Sequence, residues 1–144
     1  MPLTARIDTR GVEKTQAGML WMAGAMPAIA DKHVGRFAKE ETVRLEETPY
    51  PPELPNQRYV RTFELAGSWT AEPTTGPRWI IANEADQPVG IPYATLVVGP
   101  SERQAQIHKG RWWVAQEETA SRLEEHLTKP LQEEVDSELR ARLP

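Results

Sequence analysis

The chain has 144 residues, of which 13 are proline and none is cysteine, and its net charge at neutral pH is -4. This length suits one domain with its own core, and the absence of cysteine excludes disulfides and thiolate metal sites. Because the sequence lacks the run of about 18 apolar residues that a transmembrane helix needs, we expect a soluble, non-secreted protein with no membrane partner.

The negative charge is concentrated near the C-terminus. Residues 114–144 hold 8 acidic and 4 basic side chains, whereas residues 1–113 hold 13 of each. A protein that binds nucleic acid through its phosphates is expected to present a basic stripe. The sequence shows no such stripe, which disfavours binding of this kind.

The first predicted elements are a short edge strand and a long helix. Residues 3–9 alternate between apolar and polar types, which is typical of a strand. From Val12 to about Glu47 apolar residues recur at helical spacing, and Pro27 predicts a kink or two helices that meet near Ala25. The apolar stripe of this helix comprises Met19, Met22, Met26, Ile29, His33 and Phe37.

The middle of the chain predicts an extended arm and a sheet. Residues 48–56 contain four prolines, which favours an extended, polyproline-like arm. Residues 58–65, 67–72 and 78–82 have the composition of strands, and residues 89–98 form a further extended segment or a short helix. We therefore expect an antiparallel sheet of about four strands.

Two helices are predicted after Trp113. Leucine or valine recurs every four residues from 123 to 143, which gives a narrow apolar seam suited to contact with a neighbouring body. Pro130 fits the first turn of the second helix, with Thr128 as its cap. The predicted fold is α+β, with one domain over residues 1–129, including the arm 48–56, and an acidic helical extension over residues 130–144.

Residue patterns that would indicate catalysis are weak. His33 lies on the apolar stripe and is expected to be structural, and a small hydrolase that uses His108 is the weakest alternative. Adjacent carboxylates such as Glu40–Glu41 point about 100° apart on a helix, so we interpret these doublets as solvated faces. Glycines are isolated, which disfavours a phosphate-binding loop. We expect no catalytic residues, no cofactor and no metal.

Aromatic and arginine residues alternate through the middle of the chain. They allow three interpretations: a platform for single-stranded nucleic acid, a protein interface, and ordinary core packing. The interface interpretation is favoured for Tyr50, Arg58, Tyr59, Arg61 and Trp112, and core packing for Trp69 and Trp79.

The same region resembles the neck or minor tail component family of tailed bacteriophages, which includes head-tail connection and tail-completion proteins. The matching residues are Tyr50-Pro51-Pro52, Arg58-Tyr59, Arg61-Thr62, Leu65, Ser68-Trp69, Asn83, Tyr93-Ala94, Val98, Gln104, His108, Gly110 and Trp112. Family members usually have glycine after the Arg-Thr pair, whereas this chain has Phe63.

The resemblance implies a structural virion protein, assembled in the host cytoplasm, that joins the portal of the head to the tail. It implies a homo-oligomeric ring of about six or twelve copies, with other neck, portal or tail proteins as partners and double-stranded DNA as passing cargo. The rival is a nucleic-acid-binding accessory protein. The expected partner interface comprises Tyr50, Pro51, Pro52, Arg58, Tyr59, Arg61, Thr62, Tyr93, His108, Arg111 and Trp112. The acidic residues that we expect to face the channel or solvent are Glu117, Glu118, Glu124, Glu125, Glu133, Glu134, Asp136 and Glu138.

Overall fold

The computed structural model describes residues 10–58, 61, 63–85 and 93–143, so the expected strand over residues 3–9 lies outside it. It confirms the α+β class, the long N-terminal helix and the C-terminal helices, whereas the expected sheet of about four strands is wrong. The elements are α1 (Arg10–Glu47), α2 (Glu64–Gly67), β1 (Trp69–Pro73), β2 (Trp79–Asn83), α3 (Tyr93–Val98), α4 (Ala115–Leu123), a π-helical turn (Glu124–Thr128) and α5 (Lys129–Arg142).

Helix α1 is continuous through Pro27, so the expectation of two helices meeting near Ala25 is wrong. The apolar stripe is buried at Met22, His33 and Phe37, as the spacing predicts. Met19 is 61% exposed instead. The stripe therefore begins one turn later than the sequence indicates.

The described residues contain one sheet, the antiparallel pair β1 and β2. Trp69 lies opposite Asn83 and Pro73 opposite Trp79. The connecting turn includes Gly76 with a φ of 71°, a conformation that glycine adopts without strain. Both strands contact α1. Trp79 of β2 lies against Gly35 and Lys39, so the pair packs on the C-terminal half of that helix.

Two of the expected strand segments are helical where they are described. Residues 64–67 form the single turn α2, and residues 93–98 form α3, the helical alternative for that apolar run. Helical geometry lets Val97 and Val98 both reach the interior, where they are at most 2% exposed. In a strand their side chains would point to opposite faces.

The C-terminal helices run without a break and lie antiparallel to α1. Leu143 lies against Gly18, Glu134 against His33 and Glu118 against Arg44. Thr128 has helical backbone angles and makes no capping hydrogen bond, so its expected role as a cap is wrong. Leu143, the last residue of the leucine seam, thus packs on the chain's own α1.

The main core lies where α1 ends. Leu45 at the end of α1 packs with residues from α2, β1, α3 and the segment before α4. Within the part of the chain that the structure describes, no helix is both long and apolar enough to cross a membrane. The buried members of this core are Leu45, Leu65, Trp69, Val97, Val98 and Trp112.

Candidate partner interface

Tyr50, at the start of the proline arm, is the centre of an aromatic cluster. Its ring lies 4.9 Å from that of Trp112, 5.0 Å from that of Phe63 and 6.2 Å from that of Trp113, measured between centroids. Its hydroxyl accepts a hydrogen bond of 2.9 Å from the backbone N–H of Ala66. Burial raises the pKa of Tyr50, so the ring stays neutral near neutral pH. The cluster joins the arm to the core.

Two arginines hold the proline arm onto this cluster. Arg61 donates hydrogen bonds to the carbonyls of Pro51 and Pro52, at 2.5 and 3.4 Å, and Arg111 donates to Pro52 at 2.9 Å. The Arg61 guanidinium also lies 5.4 Å from the centroid of the Trp112 ring. A proline-rich segment has few N–H groups for a backbone ladder, so its carbonyls take donors from side chains.

His108 is buried beneath the cluster and packs edge-to-face on Trp112, with ring centroids 5.6 Å apart. Burial lowers its pKa from the usual 6.5, and the nearby charges of Arg111 and Arg61 lower it further. The ring is therefore neutral at pH 7. Its Nδ1 atom has no hydrogen-bond partner in the described structure, whereas a catalytic base is ordinarily oriented by one.

Phe63 is the most exposed residue of the aromatic cluster. Its side chain is 62% exposed although the ring stacks on Tyr50 at an interplanar angle of 14°. Its φ of 59° lies in the left-handed region, which non-glycine residues seldom adopt. Sequence reasoning did not select this residue, although its position at the expected glycine was a signal.

Besides Tyr50, Pro51, Arg61 and Arg111, which join the arm to the cluster, the expected interface residues fall into three groups. Tyr93, His108 and Trp112 belong to the core or pack against it. Pro52 and Arg58 are exposed, and an open depression of about 430 Å³ lies between residues 54–58 and Ile107. Tyr59 and Thr62 lie outside the described residues. The surface available to a partner is therefore the outer side of the arm, with Phe63 beside it.

A buried ionic cluster on α1 was not predicted from the sequence. Glu41 is 1% exposed, which corrects the interpretation of the Glu40–Glu41 doublet as a solvated face. Its carboxylate accepts hydrogen bonds from Arg44, Thr119 and Arg122 at 2.6 to 2.9 Å. A signal was present, because position 41 continues the apolar stripe of α1 between Phe37 and Leu45.

Electrostatics explain why this carboxylate stays charged. Burial, the largest single influence, raises the pKa of Glu41, but the hydrogen bonds from Arg44, Thr119 and Arg122 outweigh it and hold the pKa below its usual 4.5. The cluster joins α1 to α4, and Arg44 extends it to Glu118 at 3.0 Å. It is a structural clamp between helices.

Some acidic residues of the C-terminal helices bind α1, and others are exposed to solvent. Glu118 binds Arg44, and Glu134 binds Lys32 and His33, so both join their helices to α1. Lys32 and then His33 hold the pKa of Glu134 below its usual value. Asp136 accepts a hydrogen bond from Gln132, and Glu138 pairs with Arg142 at 3.4 Å. The residues that face solvent are Glu117, Glu124, Glu125 and Glu133.

Among the described residues, no group of three or more histidine and acidic side chains is arranged to hold a metal ion. Comparison of the chain with protein-family models, curated proteins and solved structures finds no significant match.

Proposed function

We propose that this chain is a non-enzymatic structural protein of a tailed-phage virion, one of about six or twelve copies in a ring at the neck. The ring would join the portal of the head to the tail and keep the DNA passage aligned. Its partners would be further copies of itself and the adjoining neck, portal or tail proteins.

The observation that carries the proposal is the backbone at position 63. Members of the family that the sequence resembles usually have glycine there, and the backbone of this chain has the left-handed conformation that favours glycine, although the residue is phenylalanine. The sequence pattern and the backbone thus agree at a position where composition alone gives no reason for a special conformation. The matching residues Arg61, Leu65 and Trp112 lie around the same turn.

The shape of the surface also favours assembly over catalysis. The proline arm is fixed by side-chain hydrogen bonds and presents its outer side to solvent. An extended arm of this kind can dock on a different patch of the next copy, and such heterologous contacts close into rings.

The exposed acidic residues of the C-terminal helices, which we call the acidic outer face, would assist the passage of DNA. Glu117, Glu124, Glu125 and Glu133 are exposed to solvent. If this face lines the channel, it repels the phosphates of the duplex and lets the DNA slide, whereas a basic face would hold it.

Neither alternative function gains support from the aromatic cluster. A platform for single strands needs several ring faces open to bases, and here Tyr50, Trp112 and Trp113 pack against one another in tilted pairs, so that Phe63 is the cluster ring left mainly exposed. A hydrolase would need an oriented base, and the observed neighbours of His108 are the aromatic ring of Trp112 and the charge of Arg111.

Gold labelling of intact virions tests the proposal. An antibody against this chain should place gold particles at the junction between head and tail in electron micrographs. An antibody against the major capsid protein serves as the control and should label the head. Virions that lack the chain, or that carry it only elsewhere, would contradict the proposal.

A further inference from the structure

Strand β2 has one edge with which no other described strand pairs. At the two ends of the strand, the carbonyl of Arg78 accepts and the N–H of Glu84 donates a backbone hydrogen bond on the β1 side, at 2.8 and 2.9 Å. Because the bonding direction alternates along an antiparallel strand, the residues at odd positions direct their N–H and C=O groups away from β1. Within the described chain these groups have no hydrogen-bond partner, and we call them the free edge of β2; they belong to Trp79, Ile81 and Asn83.

The two edges of the hairpin differ in how they are protected. The edge of β1 ends in Pro73, which lies opposite Trp79 at an outward-pointing position and has no N–H to offer. Proline and charged side chains are common devices that prevent edge strands from pairing with other chains. The sequence of β2, WIIAN, contains neither. The hairpin is therefore blocked on one edge and open to pairing on the other.

Open space adjoins β2 at both ends. A depression of about 570 Å³ with an uncharged lining borders Ile81 and Asn83, and another of about 500 Å³ borders Trp79. On the surface of the sheet that faces away from α1, the side chain of Ile80 is 56% exposed. A strand added at the free edge would cover part of this apolar side chain.

We propose that the free edge of β2 pairs with the same edge of a second copy of this chain, antiparallel about a twofold axis between the two Ile81 residues. In this register Trp79 of one copy lies opposite Asn83 of the other, so each outward N–H and C=O group of the strand meets a partner. The edge is thus complementary to itself, as a twofold contact requires. The two hairpins together form a four-stranded sheet with the order β1-β2-β2-β1.

The charges that flank the strand identify a second copy as the occupant. Because Ile81 faces Ile81, Arg78 three residues before it faces Glu84 three residues after it in the other copy. Both side chains are exposed, and neither forms an ion pair within the described structure. Opposite charges directly across an antiparallel pair stabilise the pair, and like charges destabilise it. A register shifted by two residues would lose both ion pairs, so charge and backbone bonding select the same arrangement.

Pairing of this kind ends at two copies. The outer strands of the joined sheet are the two β1 strands, whose edges Pro73 blocks. Two short strands bury less than the roughly 1,600 Å² of a standard interface, so we expect a reversible dimer with a Kd on the order of micromolar. The contact does not depend on the neck assignment, because it uses no residue of the proline arm or the aromatic cluster.

Sedimentation equilibrium of charge-reversed chains tests the contact. Arg78→Glu alone and Glu84→Arg alone each place like charges opposite one another in a homodimer, so each variant should dimerise about tenfold more weakly than the wild type. An equimolar mixture of the two should regain the wild-type affinity, because each glutamate then faces an arginine. The matched controls Arg103→Glu and Glu47→Arg change exposed charges elsewhere and should leave the Kd unchanged, alone or mixed.

Two results of this experiment would overturn the proposal. One is a wild-type chain that stays monomeric at millimolar concentration, and the other is a mixture of Arg78→Glu and Glu84→Arg that dimerises no better than either variant alone. Circular dichroism should show wild-type helicity in both variants, because both side chains are exposed.

Disulfide trapping gives a second measurement, because the natural chain contains no cysteine. Ile80 of one copy lies opposite Ala82 of the other at a non-hydrogen-bonded pair, where Cα atoms about 4.5 Å apart allow a disulfide. Ile80→Cys mixed with a size-tagged Ala82→Cys should give a mixed disulfide in high yield. The control replaces Ile80→Cys by Glu72→Cys, which is exposed on β1, one strand further from the contact. Equal yields in the two mixtures, or no mixed disulfide in the first, would also overturn the proposal.

Discussion

At the scale of single residues, Phe63 shows how packing holds an unfavourable backbone conformation. A left-handed backbone costs a non-glycine residue about 1–2 kcal/mol. Stacking of Phe63 on Tyr50, with centroids 5.0 Å apart, offsets part of this cost. The residue thus contributes an exposed aromatic ring at a position where glycine would be the relaxed choice.

Substitutions at position 63 separate these two effects. Phe63→Ala loses the stacking and keeps the strained backbone, whereas Phe63→Gly loses the stacking and relieves the strain. We expect Phe63→Gly to be more stable than Phe63→Ala by about 1 kcal/mol in urea unfolding. At Ala120, a solvent-exposed site inside α4, the order of alanine and glycine should reverse. The same order at both positions would show that the left-handed backbone is unimportant.

Glu41 is the residue whose loss should be felt most strongly. In Glu41→Gln the partly exposed arginines Arg44 and Arg122 lose the buried carboxylate that pairs with them, and we expect a destabilisation of about 2 kcal/mol. The control Glu40→Gln removes an exposed pair with Arg36 at 3.0 Å and should change stability by less than about 0.5 kcal/mol. Chemical denaturation measures both variants, and similar effects in the two would contradict the clamp between α1 and α4.

Stability should also fall in acid in two steps. The pKa of His108 is depressed in the folded protein, so the unfolded chain takes up its proton first and stability is lost as the pH falls below 6.5. The pKa of Glu41 is likewise depressed below 4.5 in the folded protein, so the unfolded chain again takes up a proton first. A second loss of stability therefore follows as the pH falls below 4.5. Urea unfolding from pH 7 to pH 3 measures both. Glu41→Gln should remove part of the second loss only, and a wild-type stability that is flat below pH 6.5 would contradict the account.

At the scale of elements, Pro130 removes a backbone donor just after the π-helical turn. Pro130 has no N–H, so it leaves the carbonyl of His126 without its α-helical donor. Arg36 of α1 donates to this carbonyl at 2.9 Å. The carbonyl of His126, which Pro130 leaves without its α-helical donor, thereby binds the C-terminal helices to α1 through Arg36.

A double-mutant cycle tests this link between α1 and the π-helical turn. Arg36→Ala should cost about 1 kcal/mol in the wild type. In the Pro130→Ala background it should cost less, because the new N–H can satisfy the carbonyl of His126. Unfolding free energies of the four chains give the coupling. Strict additivity would show that Arg36 and Pro130 act independently.

The helices were predictable because their burial pattern repeats locally. The period of α1 identifies Phe37 and His33 as buried from the sequence alone. Strand predictions failed because short apolar runs suit either state until a partner is known. Val97 and Val98 illustrate this, since burial of both neighbours against Leu45 and Trp112 selects a helix.

The sequence identified which residues form the candidate site, but it did not predict which side chains they contact. The sequence indicated that Tyr50, Arg61 and Trp112 act together, and the structure places them in one cluster. It gave no sign that the rings of Tyr50 and Trp112 pack against one another, because such contacts join residues distant in the chain. Glu41 was missed because two of its partners, Thr119 and Arg122, lie 78 and 81 positions away, and the neighbouring Arg44 alone does not indicate burial.

At the scale of the whole molecule, the acidic outer face offers a prediction about DNA passage. Changing Glu117, Glu124, Glu125 and Glu133 to lysine should slow DNA ejection, because a basic channel holds phosphates. The control reverses four exposed acids elsewhere, Glu46, Glu47, Glu72 and Glu84, which gives the same change in net charge. Ejection rates of assembled particles measure the effect. Equal rates in the two sets would place the acidic face outside the channel.

The central claim is that this chain joins heads to tails by binding other proteins. Electron microscopy of particles from a phage that lacks the gene tests it most directly, with the gene restored in trans as the control. The account predicts DNA-filled heads and separate tails without the chain, and joined particles when it is restored. Complete, infectious virions formed in the absence of the chain would contradict the account.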